Sequence, residues 1–194
     1  MVPIRRVIVT GAPGAGKTAM LNTLTARGYH VVEESARAII RERLADGLPP
    51  RPTPRQFAAA VMRLDIENYR RRSTQSDWVF FDRGIPDGMC MLDQVTPLGR
   101  RRIKVLAEHF VYHRQVFIFP PWQAIYRNDT ERDQTFADAI RVFETLSEWY
   151  RQCGYEVMDM PLASVDERCD FILETLGLAK STAQADMPHT KVPR

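Results

Sequence analysis

Gly11-Ala12-Pro13-Gly14-Ala15-Gly16-Lys17-Thr18 fits the pattern G-x-x-x-x-G-K-[ST] without a mismatch. The pattern carries meaning only between a strand and a helix. Upstream, Ile4-Arg5-Arg6-Val7-Ile8-Val9-Thr10 is a β-branched run of strand type, and downstream Ala19 to Arg27 reads as a helix that stops near Gly28. Both flanks are present. Glycines at 11, 14 and 16 permit dihedrals that a Cβ resists, so successive amides can turn toward one anion. Together with the helix N-terminus, residues Gly11, Ala12, Pro13, Gly14, Ala15, Gly16, Lys17, Thr18 and Ala19 therefore read as a polyphosphate cradle. Lys17 is placed to reach the outer phosphates, and the Thr18 hydroxyl to ligate magnesium.

Outward from this loop the chain alternates between strand and helix signals. Gly28 to Val32 reads as a second strand closed by Glu33-Glu34, and a helix follows from Ser35 to about Ala45. Thr53-Pro54-Arg55-Gln56 opens another helix, with Thr as N-cap, Pro at N1 and Gln at N3. Trp78-Val79-Phe80-Phe81 is a continuous apolar run, as expected of a strand buried on both faces. Residues 86–110 read as helix with a break and a fresh start at Thr96-Pro97. Gln115 to Phe119 is a fourth strand, Thr135 opens a helix through a capping box, Tyr155 to Met158 is a fifth strand, and Ser164 opens the last helix. The order predicts an α/β fold: a five-stranded parallel sheet within three α/β/α layers. Residues 1–178 are expected to form one domain with a lid at about 121–135, and residues 179–194 a flexible tail.

Composition narrows the classes. The 194-residue chain is 44% hydrophobic and 26% charged with a net charge of +3, as expected of a globular domain with an anionic small ligand rather than a nucleic-acid binder. Arg100-Arg101-Arg102 has no interleaved aromatics and reads as a solvated face. Three cysteines without C-x-x-C spacing argue against a disulfide scaffold and for a reducing compartment, and no apolar run approaches a membrane span. The expectation is a cytoplasmic protein, monomer or homodimer, without a membrane partner.

Ligands of doubly wound sheets bind beyond the carboxyl ends of the strands, which selects the polar residues of interest. Asp82 leaves a buried strand, as a magnesium-organising acid does, and Arg83 beside it can neutralise a transferred phosphoryl group. Glu33 or Glu34 closes the second strand, and one of them is expected to orient or deprotonate a substrate hydroxyl. Glu34 and Arg37, three apart, can face one pocket. Trp122 through Arg132 lies between a strand and a helix, and its Arg127 and Arg132 are placed to fold over the phosphates.

On Gly11–Thr18, Glu34-Ser35-Ala36-Arg37, Phe81-Asp82-Arg83 and Trp122–Arg132, the chain resembles the phosphate-loop kinase superfamily over about residues 4–177. More narrowly it is similar to the AAA-type ATPase/kinase family that includes the ribosylnicotinamide kinase domain of bacterial NadR, while Asp82-Arg83-Gly84 is closer to the acid–arginine motif of deoxynucleoside kinases. The resemblance implies ATP–magnesium binding, with GTP as the alternative, and phosphoryl transfer to a small hydroxyl-bearing, nucleoside-like acceptor. The catalytic set is then Lys17, Glu34, Asp82, Arg83, Arg127 and Arg132; the acceptor set is Glu34, Arg37 and Arg83; the metal set is Thr18 and Asp82. The competing reading is a regulatory switch that hydrolyses ATP or GTP without a small-molecule acceptor.

Overall fold

The computed structural model describes residues 5–72, 77–126 and 135–179. Five strands form one wholly parallel sheet: β1 (Arg6–Gly11), β2 (His30–Val32), β3 (Val79–Asp82), β4 (Gln115–Phe119) and β5 (Glu156–Asp159), in the order β2-β3-β1-β4-β5. The central strands carry unbroken apolar runs, residues 7–9, 79–81 and 116–119, because both faces are covered. Val7, Val9, Phe80, Phe117 and Phe119 point to one face, where α1 (Lys17–Ala26) and α7 (Val165–Thr175) supply Met20, Leu24, Cys169 and Ile172. Ile8, Val79, Phe81, Val116 and Ile118 point to the other. There α3 (Pro54–Arg71), α4 (Ile85–Val95) and α6 (Phe136–Gln152) contribute Met62, Met89, Trp149 and Tyr150. Each fully buried aromatic or branched side chain in these layers stabilises the fold by roughly 1.5–3 kcal/mol.

Helix starts follow local chemistry. Thr53, Thr135 and Ser164 each close a reciprocal capping box, the first with Pro54 in the opening turn. The Thr96-Pro97 expectation is corrected: α4 ends at Val95, and α5 (Arg100–His109) begins only after Gly99. Asp93 Oδ1 accepts from the Leu98 amide at 2.7 Å, holding residues 96–99 in a linker, and Gly99 at φ 74° supplies the turn. A further helix, α2 (Ser35–Ala45), packs Ile40 against Phe57 and Val61 of α3.

The topology creates one crevice. β1 feeds α1 on one face, β3 feeds α4 on the opposite face, and the two strands are neighbours, so their following loops diverge and leave a gap at the carboxyl edge. No helix among the described residues is long and apolar enough to cross a membrane.

Candidate active site

The loop after β1 occupies that gap. Gly14 (φ 73°) and Gly16 (φ 82°) are left-handed, which turns successive peptide units toward a common point. Gly11 is required for another reason: a Cβ there would lie 2.3 Å from the Phe119 carbonyl oxygen on the adjacent strand. Lys17 opens α1 and is 7% exposed, its Nζ donating to the carbonyls of Ala12 (2.7 Å) and Gly11 (3.3 Å). Burial, then the nearby Arg83 cation, lowers its pKa to about 8, although Asp82, Glu34 and Asp87 oppose the shift. Thr18 and Ala19 are solvent-facing in the first turn.

Arg83 is the hub of the second wall. It follows β3 and is the one non-glycine residue with positive φ (64°) among the described residues. A strained backbone of this kind costs of order 1–3 kcal/mol and persists only when surroundings impose it. Here they do. Its guanidinium donates to Glu34 Oε1 (3.0 Å), Asp87 Oδ1 (3.1 Å), Thr10 Oγ1 (3.3 Å) and the Gly11 carbonyl (3.0 Å). Burial works against its charge, but Glu34 and Asp87 more than offset that, and its pKa is raised.

Glu34 stands where β2 gives way to α2, in extended backbone at the N-cap position. It pairs with Arg83 through one oxygen and with Arg37 Nε (3.0 Å) through the other. Burial alone would raise its pKa, yet Arg83, Lys17 and Arg37 together hold it below the ordinary carboxylate value. Glu33 answers the question left by sequence: its side chain is 75% exposed and pairs with Arg41, so Glu34 is the acid that faces the site. Asp82, at the end of β3, has a buried Oδ1 without a hydrogen-bond partner. Burial and the Glu34 charge push its pKa up to about 6, against the pull of Lys17 and Arg83. A dry, unpartnered carboxylate oxygen beside a phosphate loop suits a hard divalent cation, so Asp82 fits magnesium.

A cleft of about 470 Å³ opens beside the loop. It is lined by the charged Lys17, Glu34, Arg37, Arg83 and Asp87, by the apolar Ile40, Phe57, Met91 and Leu146, and by Arg51, Gln94 and Arg141. A lining that combines charged and apolar side chains suits an acceptor with both polar and apolar parts. The structure thus brings together Lys17, Glu34, Arg37, Asp82 and Arg83; Arg127 and Arg132, with most of the expected lid, lie outside the described residues.

Three participants were not singled out from the sequence. Asp87 accepts from Thr10 (2.5 Å), Arg83, the Gly84 amide (3.0 Å) and the Tyr150 hydroxyl (2.5 Å). Its position in the first turn of α4, four residues after Arg83, was the available signal. Tyr150 and Arg168 reach the site from distant helices and gave no local signal.

A family profile described as AAA domain matches residues 6–168. No curated protein sequence matches the chain. Among solved structures, deoxyadenosine kinase from M. mycoides with bound dATP aligns with TM-score 0.62 at 12% identity, covering 89% of this chain and 99% of that one. The same enzyme with products dCMP and dCDP gives 0.65 at 14%, covering 89% and 98%. Thymidylate kinase from Ehrlichia chaffeensis gives 0.57 at 15%, covering 90% and 100%. At such identities the likeness is one of fold.

Proposed function

The chain belongs to the AAA domain family, and from that premise we propose that it transfers the γ-phosphoryl group of a nucleoside triphosphate to a small hydroxyl-bearing, nucleoside-like acceptor. The observation that carries this reading is the cleft: Glu34, Arg37 and Arg83 line it together with Ile40, Phe57, Met91 and Leu146, and it adjoins Lys17 and Pro13 of the loop. A hydrolytic switch has no need of such a cleft. The nucleoside and nucleotide kinases that share the fold support the same class of acceptor.

The chemistry asked of the chain is positioning and charge neutralisation. Loop amides and Lys17 hold the β- and γ-phosphates. Glu34 orients the acceptor hydroxyl and takes its proton as the oxygen–γ-phosphorus bond forms. The bond from γ-phosphorus to the bridging oxygen breaks, and the nucleoside diphosphate leaves with the electron pair. Arg83 and Arg37 neutralise charge on the phosphoryl oxygens in flight. Thr18 and Asp82 would hold magnesium, which would supply neutralisation of the polyphosphate charge when bound. Closure by Arg127 and Arg132 belongs to the same proposal.

The test is a panel of nucleosides, nucleoside monophosphates and hydroxylated metabolites with ATP–magnesium and GTP–magnesium, scored by mass. The expected result is an acceptor heavier by one phosphoryl group. Steady phosphate release with no phosphorylated product anywhere in the panel points instead to the switch.

A pH profile follows from the site's electrostatics. Asp82 must be ionised to accept a cation, and its raised pKa of about 6 sets the acid limb; Lys17 must be protonated, and its lowered pKa of about 8 sets the alkaline limb. The expected kcat/KM therefore rises through about pH 6 and falls through about pH 8, since this parameter reports the free enzyme. Initial rates between pH 5 and 9.5 check it. Asp82→Asn should remove the acid limb along with most of the magnesium affinity.

A further inference from the structure

Arg168 takes no part in the chemistry above, and it is unusual. The side chain sits on α7 at 4% exposure, yet no carboxylate pairs with it among the described residues. Neighbouring acids on the same helix are committed elsewhere: Asp166 and Asp170 to Arg27, and Glu167 to the Ser164 cap. Among the described residues its contacts are all neutral. Nη1 donates to the Ala15 carbonyl at 3.0 Å and Nε to the Ser164 carbonyl at 3.4 Å. The guanidinium carbon lies 5.5 Å from the Phe119 ring centroid and 5.4 Å from that of Trp122. The group also lies hard against the loop, since a Cβ on Gly16 would come within 3.0 Å of Nη1.

Buried cations are nearly always paired, because desolvating a lone charge is expensive. A cation with no carboxylate partner among the described residues, fixed against Ala15 and Gly16 of a phosphate cradle, has a natural counter-ion in the ligand. We propose that Arg168 is a positioning residue of the phosphate loop and that the bound polyphosphate is its counter-charge. Two effects act together. Donation to the Ala15 carbonyl polarises the Ala15–Gly16 peptide, whose N–H belongs to the left-handed Gly16 of the cradle. The guanidinium also adds a fixed positive charge, shielded from solvent and therefore weakly screened by salt. Both effects grow with the charge on the ligand, whereas a packing role does not.

The inference rests on the reading of Gly11–Thr18 as a triphosphate site. Calorimetric titration of the full chain with ATP, ADP and AMP, each with magnesium and no acceptor, tests it in wild type, Arg168→Met and Arg168→Lys. Methionine keeps an apolar stem against Phe119 and Trp122 without the charge. The expected result is a graded loss in the Met variant, about tenfold in Kd for ATP, about threefold for ADP and little for AMP, with Lys recovering part of it. Thermal melts establish that each variant is folded. Should Met fail to fold, the Lys variant carries the test, because it keeps the charge but loses the planar fork and should show a smaller graded loss. An equal loss for all three ligands, or unchanged affinities with a lowered Tm, overturns the proposal and leaves Arg168 as packing. Wild type that binds none of them defeats the triphosphate reading itself, a result distinct from wild type binding while the variants match it.

Discussion

Glu34→Gln lowers phosphoryl transfer to the acceptor by about a thousandfold, while affinity for the triphosphate stays within about threefold. Glutamine has the size and one acceptor oxygen of glutamate but cannot take a proton from the attacking hydroxyl. In the wild-type protein Glu34 is ionised at neutral pH because Arg83, Lys17 and Arg37 overcome the cost of burying it. The acid is therefore poised as an acceptor rather than a donor. Gln also removes one negative charge from between Arg83 and Arg37, so the cradle becomes more cationic and has no reason to release a triphosphate. Weakened pairing costs about 2 kcal/mol of stability, which a folded chain of this length tolerates. Mass-scored initial rates and a titration with ATP–magnesium separate the two effects. An unchanged transfer rate would make Glu34 an anchor for Arg83 and nothing more. A protein whose only turnover is phosphate release, equal in wild type and variant, would remove the acceptor altogether.

The parts of this picture that sequence made legible are those encoded over short distances. The strand–loop–helix unit at Arg6–Ala26 is specified by glycine spacing and β-branched residues within a single stretch. Capping boxes at Thr53, Thr135 and Ser164 are complete within four residues, so the helices they open could be placed closely. The break between α4 and α5 falls at Thr96 as read, but the restart was placed too early, because Pro97 carries a helix-start signal that the Asp93–Leu98 hydrogen bond overrides. Glu33 and Glu34 could not be separated by pattern, since only the turn from extended strand into α2 decides which one points inward. What stayed invisible is tertiary. Tyr150 meets Asp87 across 63 residues, Thr10 meets it across 77, and Arg168 meets Ala15 across 153. No local pattern announces such contacts, because each joins residues far apart in the chain.

Asp87→Ala is the variant that tests this supporting layer, with an expected loss of about 3–5 kcal/mol in stability. The carboxylate is 6% exposed and holds four donors, from Thr10, Arg83, Gly84 and Tyr150. Alanine leaves them facing a cavity, and Arg83 keeps one carboxylate where it had two. For a domain of this size the loss corresponds to a fall in Tm of about 10 °C. Asp87→Asn should cost less, because its oxygen can still serve Thr10 and Arg83, although its amide group faces the Gly84 N–H. A purely structural Asp87 would lower stability and leave kcat intact well below the melting temperature. The geometry predicts otherwise. Arg83 is held at φ 64° by its contacts, and with Asp87 gone the residue can relax to an ordinary backbone and carry its guanidinium away from the loop. Both variants should therefore lose kcat at 15 °C, Ala by about a hundredfold and Asn by less, with the acceptor KM rising as the cleft lining around Asp87 loosens. Denaturant unfolding paired with low-temperature kinetics reads both quantities on the same preparations. Stability within about 1 kcal/mol of wild type together with an unchanged kcat would mean that Glu34 and the Gly11 carbonyl are enough to hold Arg83 in its strained position.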